Sequence, residues 1–140
     1  MNVLVIDVGT SSMRGILYDA HAAELKKIQI PYSPFYIDQI CVEQNASDWT
    51  SALIRICSGL AQAAKEENRK IDVMSLTSQR SSVLPLSKDM EPLSPAIMWQ
   101  DKRTMSLCHD LKKSDPVIIQ KAGSRINPVY SGSKMAWIRR

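Results

Sequence analysis

The chain has 140 residues, of which 44% are hydrophobic and 23% charged, and this is enough for one globular domain with a buried core. No apolar run has the length of a membrane-spanning helix, and the N-terminal apolar stretch is too short, and broken too early by Asp7, for a secretion signal. We therefore expect a cytoplasmic protein without a membrane partner. Three cysteines without paired spacing argue against a disulfide framework or a zinc site.

The net charge of +4 is unevenly distributed along the chain. The part from Trp99 to the end carries nine lysines and arginines against three acidic residues. No nucleic-acid recognition motif accompanies this basic segment, so we expect no nucleic-acid partner. A solvated basic face or an anionic small molecule explains the charge better.

The first third of the chain predicts an antiparallel meander. Apolar segments at Met1–Ile6, Met13–Tyr18 and Leu25–Pro31 are typical of three successive strands. The segment Asp7–Ser12, called the N-terminal loop below, is then the first turn. Residues Phe35–Val42 are expected to be irregular or a short edge strand.

A long helix is predicted over Asn45–Asn68, with Asn45 or Ser47 as its cap. Apolar residues recur there at helical spacing and predict a core-facing stripe: Trp49, Leu53, Ile56, Leu60 and Ala64. Further short strands are predicted at Ile71–Leu76, Val83–Leu86 and Ala96–Trp99. Further helices are predicted at Arg103–Lys113, at Asp115–Ala122 and from Ser133 to Arg140. The last helix carries Met135, Trp137 and Ile138, and we expect this apolar surface to favour self-association, with a homo-oligomer as one form of it.

The N-terminal loop permits two interpretations. Gly9 allows close approach of the backbone, three hydroxyl residues follow it, and Arg14 adds a positive charge, as in a turn that cradles phosphate. Asp7 at the strand end suits Mg²⁺ held through water. The same letters also fit a polar hairpin turn. The loop lacks the lysine of a Walker motif and the glycine pattern of a dinucleotide fold.

Five motifs in register resemble the FGGY carbohydrate kinases, a family that includes glycerol kinase, xylulokinase and gluconate kinase. They are "IDVGTSSMRGILYD" (Ile6–Asp19), "VEQNASDW" (Val42–Trp49), "LTSQRSSVLPL" (Leu76–Leu86), "PAIMWQDKRT" (Pro95–Thr104) and "NPVYSGSKMAWI" (Asn127–Ile138). The resemblance implies an α/β fold, namely an actin-like ATPase domain related to ribonuclease H. In such a domain a mixed sheet, opened by an antiparallel meander, is flanked by helices.

The resemblance also implies that the functional groups of the kinase are distributed over two domains. Residues 1–140 correspond to an N-terminal segment, and the general base and the adenosine pocket belong to a second domain that this sequence does not contain. No catalytic base is therefore assigned here. The implied cofactors are ATP and Mg²⁺, and the implied partner is a small sugar or polyol.

Particular residues take roles by this resemblance. Those expected to face the phosphates of ATP are Asp7, Gly9, Thr10, Ser11, Ser12 and Arg14, with Asp7 near the metal through water. Those expected to contact the sugar are Gln79, Arg80, Ser81, Trp99, Asp101 and Tyr130. Asp101 and Arg103 could instead pair with each other.

Two departures bear on the substrate. Glycerol kinase has an Arg-Glu pair where this chain has Arg80-Ser81, and a tyrosine where this chain has Val129. Xylulokinase has Met-His in place of Arg80-Ser81. The chain matches neither pattern. A sugar kinase segment that is inactive alone is one hypothesis. The alternative is a non-catalytic, truncated actin-like module that binds a polyol, phosphate or a protein.

Overall fold

The computed structural model describes all 140 residues and contains seven strands and four α-helices. The strands are β1 (Val3–Val8), β2 (Ser12–Tyr18), β3 (Glu24–Pro31), β4 (Phe35–Tyr36), β5 (Val42–Gln44), β6 (Val73–Ser78) and β7 (Ala96–Ile97). The helices are α1 (Ala46–Glu66), α2 (Met105–Asp110), α3 (Asp115–Ala122) and α4 (Ser131–Ile138). No helix combines the length and the hydropathy that crossing a membrane requires.

The chain divides into two units, and the first comprises residues 1–33 and 47–79. Its sheet has the order β3-β2-β1-β6, in which the first three strands form the predicted antiparallel meander and β6 pairs parallel to β1. Helix α1 packs on one face, where its buried stripe of Ala52, Ile56, Leu60 and Ala64 meets Leu4, Ile6, Met13 and Leu17. The predicted mixed α/β fold is confirmed.

Glycine at position 15 sets the distance between α1 and the sheet. A Cβ atom there would lie 2.1 Å from Cγ2 of Ile56 and 2.8 Å from Cδ1 of Leu60. Both of those side chains are fully buried. The helix therefore rests directly on the backbone of β2, an approach that only glycine permits.

The second unit comprises residues 34–46 and 80–140. It contains a small antiparallel sheet in the order β4-β5-β7 together with α2, α3 and α4. The predicted helix at Asp115–Ala122 has the expected bounds, with Pro116 in its first turn and Gly123 in the left-handed conformation that ends it.

Several predicted bounds differ from the structure: the strand predicted at Ile71–Leu76 is β6 (Val73–Ser78), and the one predicted at Ala96–Trp99 ends at Ile97. Strand β1 continues through Asp7 and Val8, because these residues pair with Arg14 and Met13, so the turn itself is only Gly9–Ser11. Val83–Leu86 makes only isolated bridges, at Val83 and Leu86, because Pro85 between them has no N–H for a ladder.

Two further differences concern helices in the second unit. The predicted helix Arg103–Lys113 is shorter, because hydrogen bonding tightens after α2 into a 3₁₀ turn at Lys112–Ser114. The last helix begins at Ser131 and ends at Ile138, where it was predicted to run from Ser133 to Arg140.

Candidate functional site

The N-terminal loop is a tight turn fixed by hydrogen bonds to its backbone. The amide of Gly9 donates to the carbonyl of Ser12 at 3.0 Å, and a Cβ atom on residue 9 would lie 2.9 Å from that same oxygen. The hydroxyl of Tyr32 donates to the Gly9 carbonyl at 2.8 Å, and its amide donates to the Ser11 carbonyl at 3.0 Å. The turn is therefore built for a close-packed backbone with hydroxyl side chains at its tip.

Tyr32 was not anticipated from the sequence. It follows β3, and the meander brings it back beside the first turn. Burial raises the pKa of Tyr32 to about 12, with further contributions from the negative charges of Asp7 and Asp48. The phenol thus stays protonated and keeps donating to Gly9 throughout the physiological range.

The polar side chains of the loop have specific partners in the first unit. Ser12 Oγ accepts a 2.9 Å hydrogen bond from Gln29 Nε2, and Thr10 Oγ1 donates to Gln79 Oε1 at 3.1 Å. Ser11 is exposed at the tip. The structure thus places Gln79, which the resemblance assigned to the sugar, against the N-terminal loop.

Asp7 and Arg14 face each other across β1 and β2. Their side chains form an ion pair with 2.5 Å between Arg14 Nη2 and Asp7 Oδ2, and the Arg14 side chain remains half exposed. No group of three or more acidic, histidine or cysteine side chains is arranged to hold a metal. A single carboxylate is nevertheless compatible with Mg²⁺, which keeps several waters and takes phosphate oxygens as further ligands.

Arg80 and Ser81 begin the longer of the two segments that form the second unit. Arg80 is exposed and makes no ion pair. Ser81 has a φ of +68°, a left-handed conformation that is uncommon for serine and is concentrated at functional sites. Directly after it, Ser82 Oγ accepts a 3.0 Å hydrogen bond from the amide of Trp99. The reversal at Ser81 thus fixes the backbone of Trp99 close behind Arg80.

Two cavities in the second unit contain the other predicted sugar residues. A cavity of about 390 Å³ is lined by Trp99, Gln100, Asp101, Lys102, Met105, Asn127, Pro128 and Val129. A cavity of about 520 Å³ has Ser81 and Tyr130 among its lining residues. Trp99 is 40% exposed and Tyr130 46% exposed, so both aromatic rings are available to a ligand.

Asp101 lies in the wall of the smaller cavity, but its carboxylate already bonds groups of the protein. It is 1% exposed, accepts from the amide of Val42 at 2.6 Å, and is paired with Arg103. Arg103 also bonds Glu43 and stacks 5.2 Å from the centre of the Trp137 ring. Of the two alternatives for Asp101 and Arg103, the structure shows mutual pairing.

Comparison with known proteins is consistent with this geometry. Residues 2–140 match the model of the FGGY family of carbohydrate kinases, N-terminal domain. The chain belongs to the FGGY family of carbohydrate kinases. It is 32% identical over 139 residues to a glycerol kinase from Borrelia duttonii, an alignment that covers 97% of this chain and 28% of that protein.

Solved structures of FGGY kinases share the fold. A ligand-bound xylulose kinase from Lactobacillus acidophilus superposes with a TM-score of 0.90 at 26% identity, covering 99% of this chain and 28% of that one. A Plasmodium falciparum glycerol kinase with ADP gives a TM-score of 0.93 at 21% identity, over 98% of this chain and 28% of that one. The predicted actin-like fold is confirmed. The chain spans 28% of the length of these relatives.

Proposed function

We propose that this chain is the N-terminal part of an ATP-dependent kinase that phosphorylates a hydroxyl group of a sugar or polyol. The observation that carries the proposal is the tight, hydroxyl-tipped turn at Gly9–Ser11, next to Asp7, in a member of a carbohydrate kinase family. A remaining part of the protein, with a second domain, supplies the general base and the adenosine pocket.

The N-terminal loop binds the transferring phosphates in this proposal. Backbone groups of the Gly9 turn and the hydroxyl groups of Thr10, Ser11 and Ser12 donate to phosphate oxygens, because a close-packed turn can bring several donors to one anion. Arg14 exchanges its ion pair with Asp7 for a phosphate. Asp7 would hold Mg²⁺ through water, and the ion would supply positive charge that offsets the negative charge of the phosphates.

The second unit binds the acceptor. Arg80 offers rigid, charged donors to adjacent hydroxyls, and the exposed indole of Trp99 covers a C–H face of the substrate. Ser81 and Tyr130 contribute from the larger cavity. Asp101 forms part of the wall of the smaller cavity, and its carboxylate is held by Arg103. Gln79 binds the N-terminal loop through Thr10.

The acceptor is longer than glycerol. Ser81 stands where glycerol kinase has a glutamate and xylulokinase has a histidine, both of which are larger. Val129 stands where glycerol kinase has a tyrosine. Both substitutions leave more room, and the one at Ser81 also leaves one fewer charge. A linear polyol or a ketose fits this combination better than an apolar or anionic molecule.

The test is sugar-dependent release of ADP over a panel of polyols, ketoses and aldonates. The intact protein should consume ATP only when one of these acceptors is present, and the 140-residue segment alone should not. Absence of turnover by the intact protein on the whole panel would contradict the proposal and favour a non-catalytic binding module. Turnover by the isolated segment would show that the second domain is dispensable.

A further inference from the structure

A buried lysine at the start of α4 holds one short segment of backbone. Lys134 has no exposed surface, and its Nζ donates to the carbonyl of Pro128 at 2.5 Å and to that of Val129 at 3.0 Å. Burial lowers the pKa of Lys134, and the nearby charge of Asp101 acts in the opposite direction. A buried ammonium is costly unless hydrogen bonds compensate for its lost hydration, so these two bonds matter.

The neighbouring residue adds to the same attachment. Ser133 Oγ donates to the carbonyl of Tyr130 at 3.0 Å and accepts from the buried hydroxyl of Thr104 at 3.1 Å. Two consecutive side chains of α4 therefore direct their donors at the carbonyl groups of residues 128–130. We call Asn127–Tyr130 the partition segment.

The partition segment contributes residues to the walls of both cavities of the second unit. Asn127, Pro128 and Val129 line the smaller cavity, which contains Trp99. Asn127 and Tyr130 line the larger one. Any shift of this segment changes both cavities at once, including the position of Val129.

We propose that Lys134 is a positioning residue for the acceptor site: through its bonds to Pro128 and Val129 it fixes the wall that faces Trp99. This inference rests on the proposed function. Lys134 does not touch the acceptor. Its loss removes an ammonium donor from the carbonyl groups of Pro128 and Val129, and the wall then relaxes away from the position that fits the substrate.

The first test is steady-state kinetics of the intact protein with Lys134→Met, which keeps the length of the side chain and removes the donors. A misplaced wall should raise KM for the acceptor roughly 10- to 100-fold, with kcat and KM for ATP close to wild type. Lys121→Met, on exposed helix α3, is the matched control and should behave as wild type. An unchanged acceptor KM, or an equal loss in every parameter, would overturn the proposal, since a general structural defect gives the latter.

The second test requires no turnover. In ¹H–¹⁵N spectra of the 140-residue chain, Lys134→Met should shift the amide signals of Val129 and Tyr130 and leave those of β2 unchanged. Unmoved signals in the partition segment would overturn the proposal. If Lys134→Met does not fold, Lys134→Gln, which retains an amide donor, decides by the same two criteria. If wild type phosphorylates nothing, the proposed function fails, and these spectra alone judge the role of Lys134.

Discussion

The contact between α1 and the backbone of β2 at Gly15 gives a sharp prediction for Gly15→Ala. The added methyl group would lie 2.1 Å from Cγ2 of Ile56 and 2.8 Å from Cδ1 of Leu60, whereas carbon atoms pack best at about 3.5–4.0 Å. Both contacted side chains are fully buried, so neither can turn into solvent. Helix α1 must therefore move away from β2 by an appreciable part of the missing distance.

Overpacking of this kind costs about 1–3 kcal/mol, and two immobile partners place Gly15→Ala at the upper end of that range. Alanine restricts the unfolded chain more than glycine does, which returns about 0.4–1 kcal/mol. The net loss in the free energy of unfolding is thus about 2 kcal/mol. With an unfolding entropy of about 2.1 cal/mol/K per residue, the Tm should fall by about 7 °C.

The assay is urea denaturation followed by circular dichroism, with other glycines as controls. Gly59→Ala meets only the end of the Ile28 side chain, at 2.6 Å, and Gly132→Ala meets nothing within 4 Å. Both lie in helices, where alanine is favoured by about 1 kcal/mol, so neither should destabilise the protein. Adding Ile56→Ala to Gly15→Ala should cost less than the two single losses combined. A Gly15→Ala variant as stable as wild type would refute the close approach of α1 to β2.

Three other predictions concern single side chains. Tyr32→Phe removes the donor to Gly9 and should cost about 1 kcal/mol of stability. Folding raises the pKa of Tyr32 from 10 to about 12, so the protonated phenol stabilises the protein fully below pH 10 and loses that effect as the pH rises through 12. Denaturation measured at increasing alkaline pH should show this loss in wild type and not in Tyr32→Phe. Arg103→Met leaves the buried carboxylate of Asp101 without its charged partner and should lower the free energy of unfolding, measured in urea, by about 3–5 kcal/mol. Arg103→Lys keeps a positive charge and should lower it by less. Equal losses in the two variants would refute the importance of that charge. Ser11→Ala should raise KM for ATP in the intact protein by the same factor with every acceptor, and a factor that depends on the acceptor would contradict its assignment to the phosphates.

Local pattern was sufficient for much of the first unit. Alternating and continuous apolar segments predicted the meander, and helical spacing predicted the buried stripe of α1 around Ile56 and Leu60. The C-terminal end of β1 was missed because Asp7 is a polar residue, and its place in the strand comes from pairing with Arg14 on one side and Thr77 on the other. Sequence spacing alone does not show such pairing.

Contacts distant in sequence account for what was missed in the candidate site. Tyr32 reaches Gly9 only because the meander returns to the first turn, and Lys134 reaches the carbonyl groups of Pro128 and Val129 only when α4 begins where it does. A lysine followed by apolar residues ordinarily indicates an exposed helix face. Its complete burial depends on tertiary structure.

The central claim, that this chain carries the acceptor-binding side of a carbohydrate kinase, is tested most directly by kcat/KM of the intact protein with Arg80→Ala. Loss of charged donors in a desolvated site should weaken transition-state binding by about 2–4 kcal/mol, which lowers kcat/KM for the best polyol or ketose roughly 30- to 1,000-fold. Arg55→Ala, on the exposed side of α1, should leave it unchanged. If Arg80→Ala retains wild-type kcat/KM for every acceptor, the assignment of the acceptor site to this chain is contradicted.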